Sequence, residues 1–316
     1  MGELRKDYIL NKYVIIAGER GKRPHEFTRQ ETNKHVETCF FCPGNEHLTP
    51  KETSRIDENY RWKVRAFPNK FPAVKEQGDP EIRTDNNFFT YASAFGKHEV
   101  IVETPDHSQE LSDLPEEHIR QVLEMYVDRI NNLEKTDGIQ YVLVFKNQGK
   151  EAGTSIIHTH TQVVGYNKIP TRIEEKVNAV KNFNSCPYCD IINIEKRSDR
   201  RVFENNNFVS FTPYASRFPF EIWIFPKKHV KTITELDRSG LSDLANMLKS
   251  ILMKLKELNA PYNFVLQNAP YNADMHFHIE ILPRLSTRAG FEFGSDTIIN
   301  AMSPESAAKF YRGQTD

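Results

Sequence analysis

Two stretches of the chain place apolar residues at the spacing of an amphipathic helix. The first follows Pro115, a residue suited to the first turn of a helix. β-branched and aromatic runs flank both stretches, for example at Tyr141–Phe145 and Glu221–Phe225, and such runs favour strands. The pattern predicts an α+β fold in which each half of the chain forms an antiparallel sheet crossed by a helix. The apolar positions of the helices are Ile119, Val122, Leu123, Tyr126, Ile130 and Leu133, and Leu241, Leu244, Leu248, Ile251, Leu252, Leu255 and Leu258.

The two halves repeat the same order of motifs. Each carries a Cys-x-x-Cys pair, a β-rich run that leads to a histidine, an amphipathic helix, a second β-rich run and a His-x-His pair. The spacing from Glu99 to His107 equals that from Glu221 to His229. The first half is longer by about 25 residues before this point, which predicts an insertion within 43–97. The order and spacing indicate a tandem duplication.

The duplication also predicts the domain boundaries. We expect an N-terminal domain over 1–170 and a C-terminal domain over 171–316, both of the same α+β construction. The polar, helix-prone segment Thr171–Asn184 is the expected connector.

Cysteine usage points to metal binding, because all four cysteines of the chain lie in the two Cys-x-x-Cys pairs. Two histidines accompany each pair at repeat-matched positions, and Cys₂His₂ is the usual composition of structural zinc sites. A thioredoxin-like redox pair is an alternative, although neither pair follows a strand-to-helix redox context. A zinc-finger DNA binder fails on the long spacing to the histidines. About two zinc ions per chain are expected, one on Cys39, Cys42, His107 and His158, and the other on Cys186, Cys189, His229 and His276.

The segment Asn147–Gln162 gathers side chains that can handle phosphate. His158 and His160 are two residues apart, so on a strand they point to the same side, with the Gln162 amide one step further. A pair of this kind also occurs as two metal ligands, or as one ligand and a packed histidine. The asparagine that opens the segment and Ser155 favour phosphate handling, because a metal site alone has no use for them.

If His158 binds zinc, His160 is left for the substrate. A neutral imidazole can attack the α-phosphorus of a nucleoside diphosphate compound and form a covalent nucleotidyl-histidine. Asn147, Ser155 and Gln162 can donate hydrogen bonds as charge develops on the phosphoryl oxygens. An amide cannot act as a general acid, so the leaving group must be stable without protonation. A sugar 1-phosphate, with a second pKa of about 6, meets that requirement.

These motifs resemble those of the galactose-1-phosphate uridylyltransferase family, a two-domain branch of the histidine-triad superfamily, over nearly the whole chain. The family's Asn, Ser, His-x-His-x-Gln array matches Asn147–Gln162, and the resemblance implies that His160 is the nucleophile and His158 a zinc ligand. It implies a phosphate contact in the element Arg20–Pro24 and a sugar-binding loop at Gly290–Glu292. The substrate-binding residues that it implies are Arg23, Phe67, Asn69, Asn147, Phe291 and Glu292.

The chain departs from the best-known members at two positions. Thr159 stands between the two histidines where those members have proline, and Ile298 stands where they have a glutamine that follows the sugar-binding glutamate. The second Cys-x-x-Cys pair and the sequence GFEFG at 290–294 look more like relatives that act as ADP-glucose phosphorylases.

Charge and hydropathy narrow the class of protein. The net charge of −1 argues against a nucleic-acid scaffold, which carries a basic excess. No apolar run approaches the length of a membrane span, and the first residues lack the apolar core of a signal peptide. We expect a cytoplasmic protein with no nucleic-acid or membrane partner.

Three functions remain open at this stage. The first is uridylyl exchange between UDP-glucose and galactose 1-phosphate, through a ping-pong reaction at His160. The second is an adenylyltransferase or phosphorylase that uses ADP-glucose and phosphate. The third is a non-catalytic nucleotide sensor that keeps the pocket and forms no covalent adduct. The family resemblance also implies a homodimer.

Overall fold

The computed structural model describes residues 3–16 and 38–314. Within these ranges the chain forms fifteen strands and six α-helices. The strands are β1 (Glu3–Lys6), β2 (Tyr13–Ile16), β3 (Ser54–Glu58), β4 (Arg61–Pro68), β5 (Arg83–Asp85), β6 (Phe89–Tyr91), β7 (Gly96–Val102), β8 (Tyr141–Gln148), β9 (His160–Tyr166), β10 (Arg201–Glu204), β11 (Phe208–Phe211), β12 (Ile222–Pro226), β13 (Tyr262–Gln267), β14 (His278–Pro283) and β15 (Ile298–Asn300). The helices are α1 (Glu116–Leu133), α2 (Thr171–Val180), α3 (Pro187–Glu195), α4 (Arg238–Glu257), α5 (Gly290–Ser295) and α6 (Pro304–Tyr311).

A ten-stranded antiparallel sheet runs through both halves of the chain. Its order is β10-β11-β12-β14-β13-β8-β9-β7-β4-β3, which reads as one five-strand pattern followed by its repeat in reverse. The two patterns meet where β8 pairs with β13, in a register that places Asn147 opposite Asn263. The predicted α+β fold and tandem duplication are confirmed. The two predicted sheets, however, are joined edge to edge into one, because the last strands of the two patterns, β8 and β13, pair with each other.

Helices α1 and α4 cover one face of this sheet and pack against each other. Every apolar position predicted for the two helices is buried except Leu258, which lies half-buried against the same core. Val163 of β9 points into this core. Because side chains alternate along a strand, His160 and Gln162 point to the opposite face. The core therefore lies between the helices and one face of the sheet, and His160 and Gln162 lie on the opposite face.

Two further regions lie outside the repeat. The connection between β4 and β7 spans 69–95 and carries the β5–β6 hairpin, whereas its counterpart between β11 and β12 spans only 212–221. This is the insertion that the spacing predicts. Strands β1 and β2 form a small sheet with β15, which runs parallel to β2, so the first strands lie beside the last part of the chain. None of the helices described has the length and apolar character needed to cross a bilayer.

Candidate active site and metal centres

The first predicted metal site comes together at the start of β9. The Cys39 and Cys42 sulfurs lie 3.5 and 3.6 Å from the Nδ1 of His158, and the Cys42 sulfur lies 3.5 Å from the Nδ1 of His107. In a tetrahedral zinc site with Zn–S of about 2.3 Å and Zn–N of about 2.0–2.1 Å, sulfur and nitrogen ligands are about 3.5 Å apart. The four side chains therefore fit a zinc ion. The Nε2 of His158 donates to the carbonyl oxygen of Thr104 at 2.7 Å, which fixes Nδ1 as the metal-facing atom.

The second predicted site has the same construction. The Cys189 sulfur lies 3.5 Å from the Nδ1 atoms of both His229 and His276, and Cys186 completes the cluster at the start of α3. The Nε2 of His276 donates to the Pro226 carbonyl oxygen at 2.9 Å. The expectation of about two metal ions per chain is confirmed as two Cys₂His₂ clusters that can hold them. Burial raises the pKa of the Cys189 thiol to about 12, so zinc binding there must displace a proton.

His160, the first residue of β9, is held in one tautomer. Its Nδ1–H donates to the carbonyl oxygen of His158 at 2.8 Å, which leaves the Nε2 lone pair unprotonated. The side chain is buried, and burial lowers the pKa of His160 against the opposing effect of this hydrogen bond, with Lys146 lowering it further. The Phe41 ring packs edge-on against the imidazole with centroids 5.3 Å apart. The arrangement presents a neutral, oriented nitrogen nucleophile.

A buried ion pair holds the strand behind this imidazole. Lys146 on β8 and Glu103 pair at 2.7 Å, and both side chains are fully buried. The Thr159 and Thr161 hydroxyls donate to the two Glu103 oxygens at 2.6 and 2.5 Å. The Lys146 ammonium also donates to the carbonyl oxygen of His160 at 3.1 Å. The roles of Lys146 and Glu103 were not predicted from the sequence, although a charged residue that directly follows an apolar strand run, as each of these does, is a signal that could have identified them.

Two amide side chains near His160 are each tied by their oxygen. Gln162 Oε1 lies 2.9 Å from the Nε2 of His98 on the neighbouring strand β7. Asn147 Oδ1 accepts a hydrogen bond from the Asn263 amide at 2.8 Å, across the seam between the two halves. In both cases the NH₂ group remains as the donor. His98 and Asn263 were not predicted, because their roles depend on neighbours across the sheet.

The other predicted residues are placed as follows. Phe67 is buried beside Phe41, with ring centroids 5.7 Å apart, so it packs against the ring that contacts His160. Asn69 is half-buried and its Oδ1 accepts from the Phe71 N–H at 2.9 Å. Ser155 is exposed in the connection between β8 and β9.

The predicted sugar-binding loop lies elsewhere in the chain. Phe291 and Glu292 are on α5, which packs against β15, and Glu292 accepts from the Ala289 N–H at the start of that helix. Strand β15 belongs to the three-stranded sheet, whereas His160 begins β9 of the ten-stranded sheet. Arg23 lies outside the described residues.

The residue equivalent to His160 in the second half is His278, and neighbouring side chains close it off from solvent. The Nδ1 of His278 lies 3.0 Å from the carbonyl oxygen of His276, which repeats the arrangement at His160. Its Nε2, however, lies 3.0 Å from the Lys176 ammonium of the connector helix α2, which is paired to Glu280 at 2.6 Å. The Phe225 ring stacks on the imidazole at 4.6 Å, and the side chain has no exposed surface. Of these two repeat-matched histidines, His160 keeps some exposed surface and His278 has none.

Comparison with known proteins shows the family to which the chain belongs. A family profile described as the N-terminal domain of galactose-1-phosphate uridyl transferase matches residues 3–170, and one for a domain of unknown function, DUF4921, matches residues 95–310. The chain is 31% identical to a galactose-1-phosphate uridylyltransferase of Thermotoga maritima, over 99% of this chain and 98% of that protein. The chain belongs to the galactose-1-phosphate uridylyltransferase family. It is therefore a nucleotidyltransferase.

Proteins named for a different activity are also similar to this chain. The chain is 35% identical to an ADP-glucose phosphorylase of Arabidopsis thaliana, over 98% of this chain and 92% of that protein. A crystal structure of an ADP-glucose phosphorylase from that organism, with bound ADP-glucose, superposes over the full length of both chains with a TM-score of 0.85 and 33% identity. A structure described as a uridylyltransferase gives a TM-score of 0.76 at 30% identity, covering 99% of this chain and 98% of that one.

The structure explains one departure from the family's best-known members. Thr159 stands where those members have proline, and here its hydroxyl donates to Glu103, the buried carboxylate behind the His160 imidazole. The other departure, Ile298, begins β15 and pairs with Val14 of β2. Nothing in the structure of this residue replaces the hydrogen-bonding side chain of a glutamine.

Proposed function

We propose that this nucleotidyltransferase works by double displacement through His160. In the first step the Nε2 lone pair attacks the α-phosphorus of a nucleoside diphosphate sugar, and the bond to the bridging oxygen breaks to release a sugar 1-phosphate. In the second step a phosphate oxygen of the acceptor attacks the same phosphorus, and the phosphorus–nitrogen bond breaks to return His160. The observation that carries this proposal is the His160–His158 hydrogen bond, which leaves Nε2 unprotonated in a buried setting.

Phosphate-to-phosphate transfer suits the side chains beside the nucleophile. Gln162 is an amide and cannot protonate a leaving group, while the pKa of the neighbouring His98 is lowered by burial, so that histidine is neutral at pH 7. A departing sugar 1-phosphate is stable without a proton, because the second pKa of such a phosphate is about 6. An alcohol or amine leaving group would need an acid that this pair does not provide.

Hydrogen-bond donors stabilise the charge that develops on the phosphoryl oxygens. We assign this role to the NH₂ groups of Gln162 and Asn147 and to the Ser155 hydroxyl, with Arg23 as a phosphate contact from outside the described residues. Phe67 and Asn69 are assigned to the nucleoside side of the pocket. Zinc in the first cluster would hold His158 rigidly, and its role is structural.

The substrates that we propose first are UDP-glucose and galactose 1-phosphate. The similarity to uridylyltransferases over nearly the whole chain supports this choice. The second candidate is ADP-glucose with inorganic phosphate as the acceptor. It is favoured by the 35% identity to an ADP-glucose phosphorylase and by Ile298, which lacks the amide found in uridylyltransferases.

Intact-protein mass spectrometry separates these candidates. The protein is incubated with UDP-glucose and with ADP-glucose in separate reactions, without acceptor, and then weighed. A uridylyl adduct supports the first candidate and an adenylyl adduct the second. No adduct with either sugar nucleotide would favour a non-catalytic nucleotide sensor.

We also propose that the sugar-binding loop acts in a homodimer. Glu292 lies on α5, which packs against β15 of the three-stranded sheet, whereas His160 begins β9 of the ten-stranded sheet. A second copy could bring its own α5 to the pocket. The symmetric dimer that this requires is the commonest oligomer of soluble proteins.

A further inference from the structure

His98 lies directly beside Gln162 on the face of the sheet that carries His160. The register of β7 and β9 places Val100 opposite Gln162 and Val164 opposite His98, so His98 and Gln162 are diagonal neighbours. His98 is 9% exposed, and its Nε2 lies 2.9 Å from Gln162 Oε1. This contact between His98 and Gln162 is short and buried. Only apolar residues follow Glu99 in β7.

The tautomer of His98 follows from its second contact. The backbone N–H of Ala73 donates to the Nδ1 of His98 at 3.1 Å, so Nδ1 must be the unprotonated nitrogen. Nε2 therefore carries the hydrogen and donates it to Gln162 Oε1. The Asn69 Nδ2 atom is 3.2 Å from the same Nε2 but cannot donate to a protonated nitrogen. Its own Oδ1 is already occupied by the Phe71 N–H, so the Asn69 amide does not compete.

We propose that His98 is a positioning residue that fixes the orientation of the Gln162 amide. With Oε1 held by His98, Gln162 directs its NH₂ group to the pocket, where the phosphoryl oxygens need donors. A freely rotating amide would present its oxygen for part of the time, and that oxygen would repel the phosphate. This role rests on the proposed reaction at His160.

The second half of the chain supports the pairing. The register of β12 and β14 pairs Trp223 with Glu280 as that of β7 and β9 pairs Val100 with Gln162, so the counterpart of His98 is Glu221. The counterpart of Gln162 is Glu280, which binds Lys176 in the closed second site. The half that lacks the glutamine therefore also lacks the histidine.

Two substitutions separate the orienting contact from simple packing. In His98→Asn the shorter amide can accept the Ala73 N–H near the former Nδ1 but cannot reach Gln162. In His98→Gln the longer amide places an N–H donor near the former Nε2. Removing an oxyanion donor outright typically costs about 10²–10³ in rate. We expect His98→Asn to slow covalent adduct formation by roughly tenfold to hundredfold, and His98→Gln to recover most of that loss.

A double-mutant cycle measures whether His98 acts through Gln162. The rate of adduct formation is followed by rapid quench for His98→Asn in the wild-type background and in a Gln162→Ala background. We expect the effect of His98→Asn to shrink to within about twofold once Gln162 is absent. Thermal unfolding is recorded for each variant, and assays are run well below its midpoint. His118→Asn is the matched control, because His118 is 7% exposed and lies on α1, on the other face of the sheet.

The outcomes are distinguishable. Equal loss in both backgrounds, a rate for His98→Asn equal to that of wild type, or an equal loss in His118→Asn would each overturn the positioning role while leaving His160 chemistry intact. No recovery in His98→Gln would count against it in the same way. Absence of any adduct in the wild-type protein would overturn the proposed reaction itself.

Discussion

The Nδ1–H of His160 donates to the backbone carbonyl oxygen of His158 at 2.8 Å, while the Nδ1 of His158 faces the two cysteine sulfurs of the first metal cluster. The side chain of His158 thus takes part in the metal cluster, while its backbone carbonyl oxygen accepts the hydrogen bond that orients His160. Any motion of His158 would change the hydrogen bond that sets the tautomer of His160. The first metal cluster should therefore affect chemistry as well as stability.

The first prediction compares the two metal clusters. Elemental analysis of unchelated protein should find about two zinc ions per chain. Cys39→Ser and Cys186→Ser should each lose about one zinc and lower the melting temperature, because structural zinc contributes folding free energy directly. At a temperature where both variants are folded, only Cys39→Ser should slow adduct formation, since only the first cluster adjoins His160. One zinc or none in the wild type would contradict the two-site account.

The second prediction concerns Gln162→His. An imidazole at this position could supply a general acid, which the amide cannot. We expect slower nucleotidyl transfer to a phosphate acceptor and faster hydrolysis of the covalent intermediate, measured by the products released from preformed adduct. Unchanged transfer with no added hydrolysis would show that the leaving-group argument is wrong.

The third prediction concerns the buried pair beneath the nucleophile's strand. Lys146→Met should lower the free energy of unfolding by about 3–5 kcal/mol, because it leaves the Glu103 carboxylate buried without its cation. Lys256→Met, which breaks a more exposed pair with Asp113, should cost at most about 1 kcal/mol. Denaturant unfolding measures both. Equal costs would mean that the buried pair does not hold the strand.

The same pair predicts a pH dependence. Burial raises the pKa of Glu103, but Lys146 and the threonine hydroxyls outweigh burial and lower it below the usual value. The pair therefore stabilises the fold at neutral pH, and its contribution is lost as the pH falls through the lowered pKa. The Lys146→Met variant should lose less stability than the wild type over that acidic range.

The fourth prediction tests whether the site is shared between two copies. Glu292→Ala and His160→Gly chains should each be inactive in sugar transfer when purified alone. A heterodimer isolated after co-expression with two tags should regain about half of the wild-type activity, because one of its two sites has both residues intact. An inactive heterodimer would argue that α5 serves its own chain, and activity of the Glu292→Ala chain purified alone would show that Glu292 has no role in sugar binding.

Local periodicity explains which features could be predicted from the sequence. The helix stripe from Ile119 to Leu133 and the shared direction of His160 and Gln162 follow from the repeats of helices and strands. The joining of the two sheets could not be predicted, because β8 and β13 are far apart in the sequence and either could have been an edge. For the same reason, Asn263 and Lys176 show their roles only when the fold brings them beside Asn147 and His278.

The most direct test of the account is the mass of the wild-type and His160→Gly proteins after incubation with each sugar nucleotide. We predict one nucleotidyl adduct per wild-type chain, mapped by peptide analysis to His160, because His278 is closed by Lys176. The His160→Gly protein should be folded, retain both zinc ions and show no adduct. A nucleotidyl adduct on the variant, or full exchange activity without one, would contradict a covalent reaction through His160.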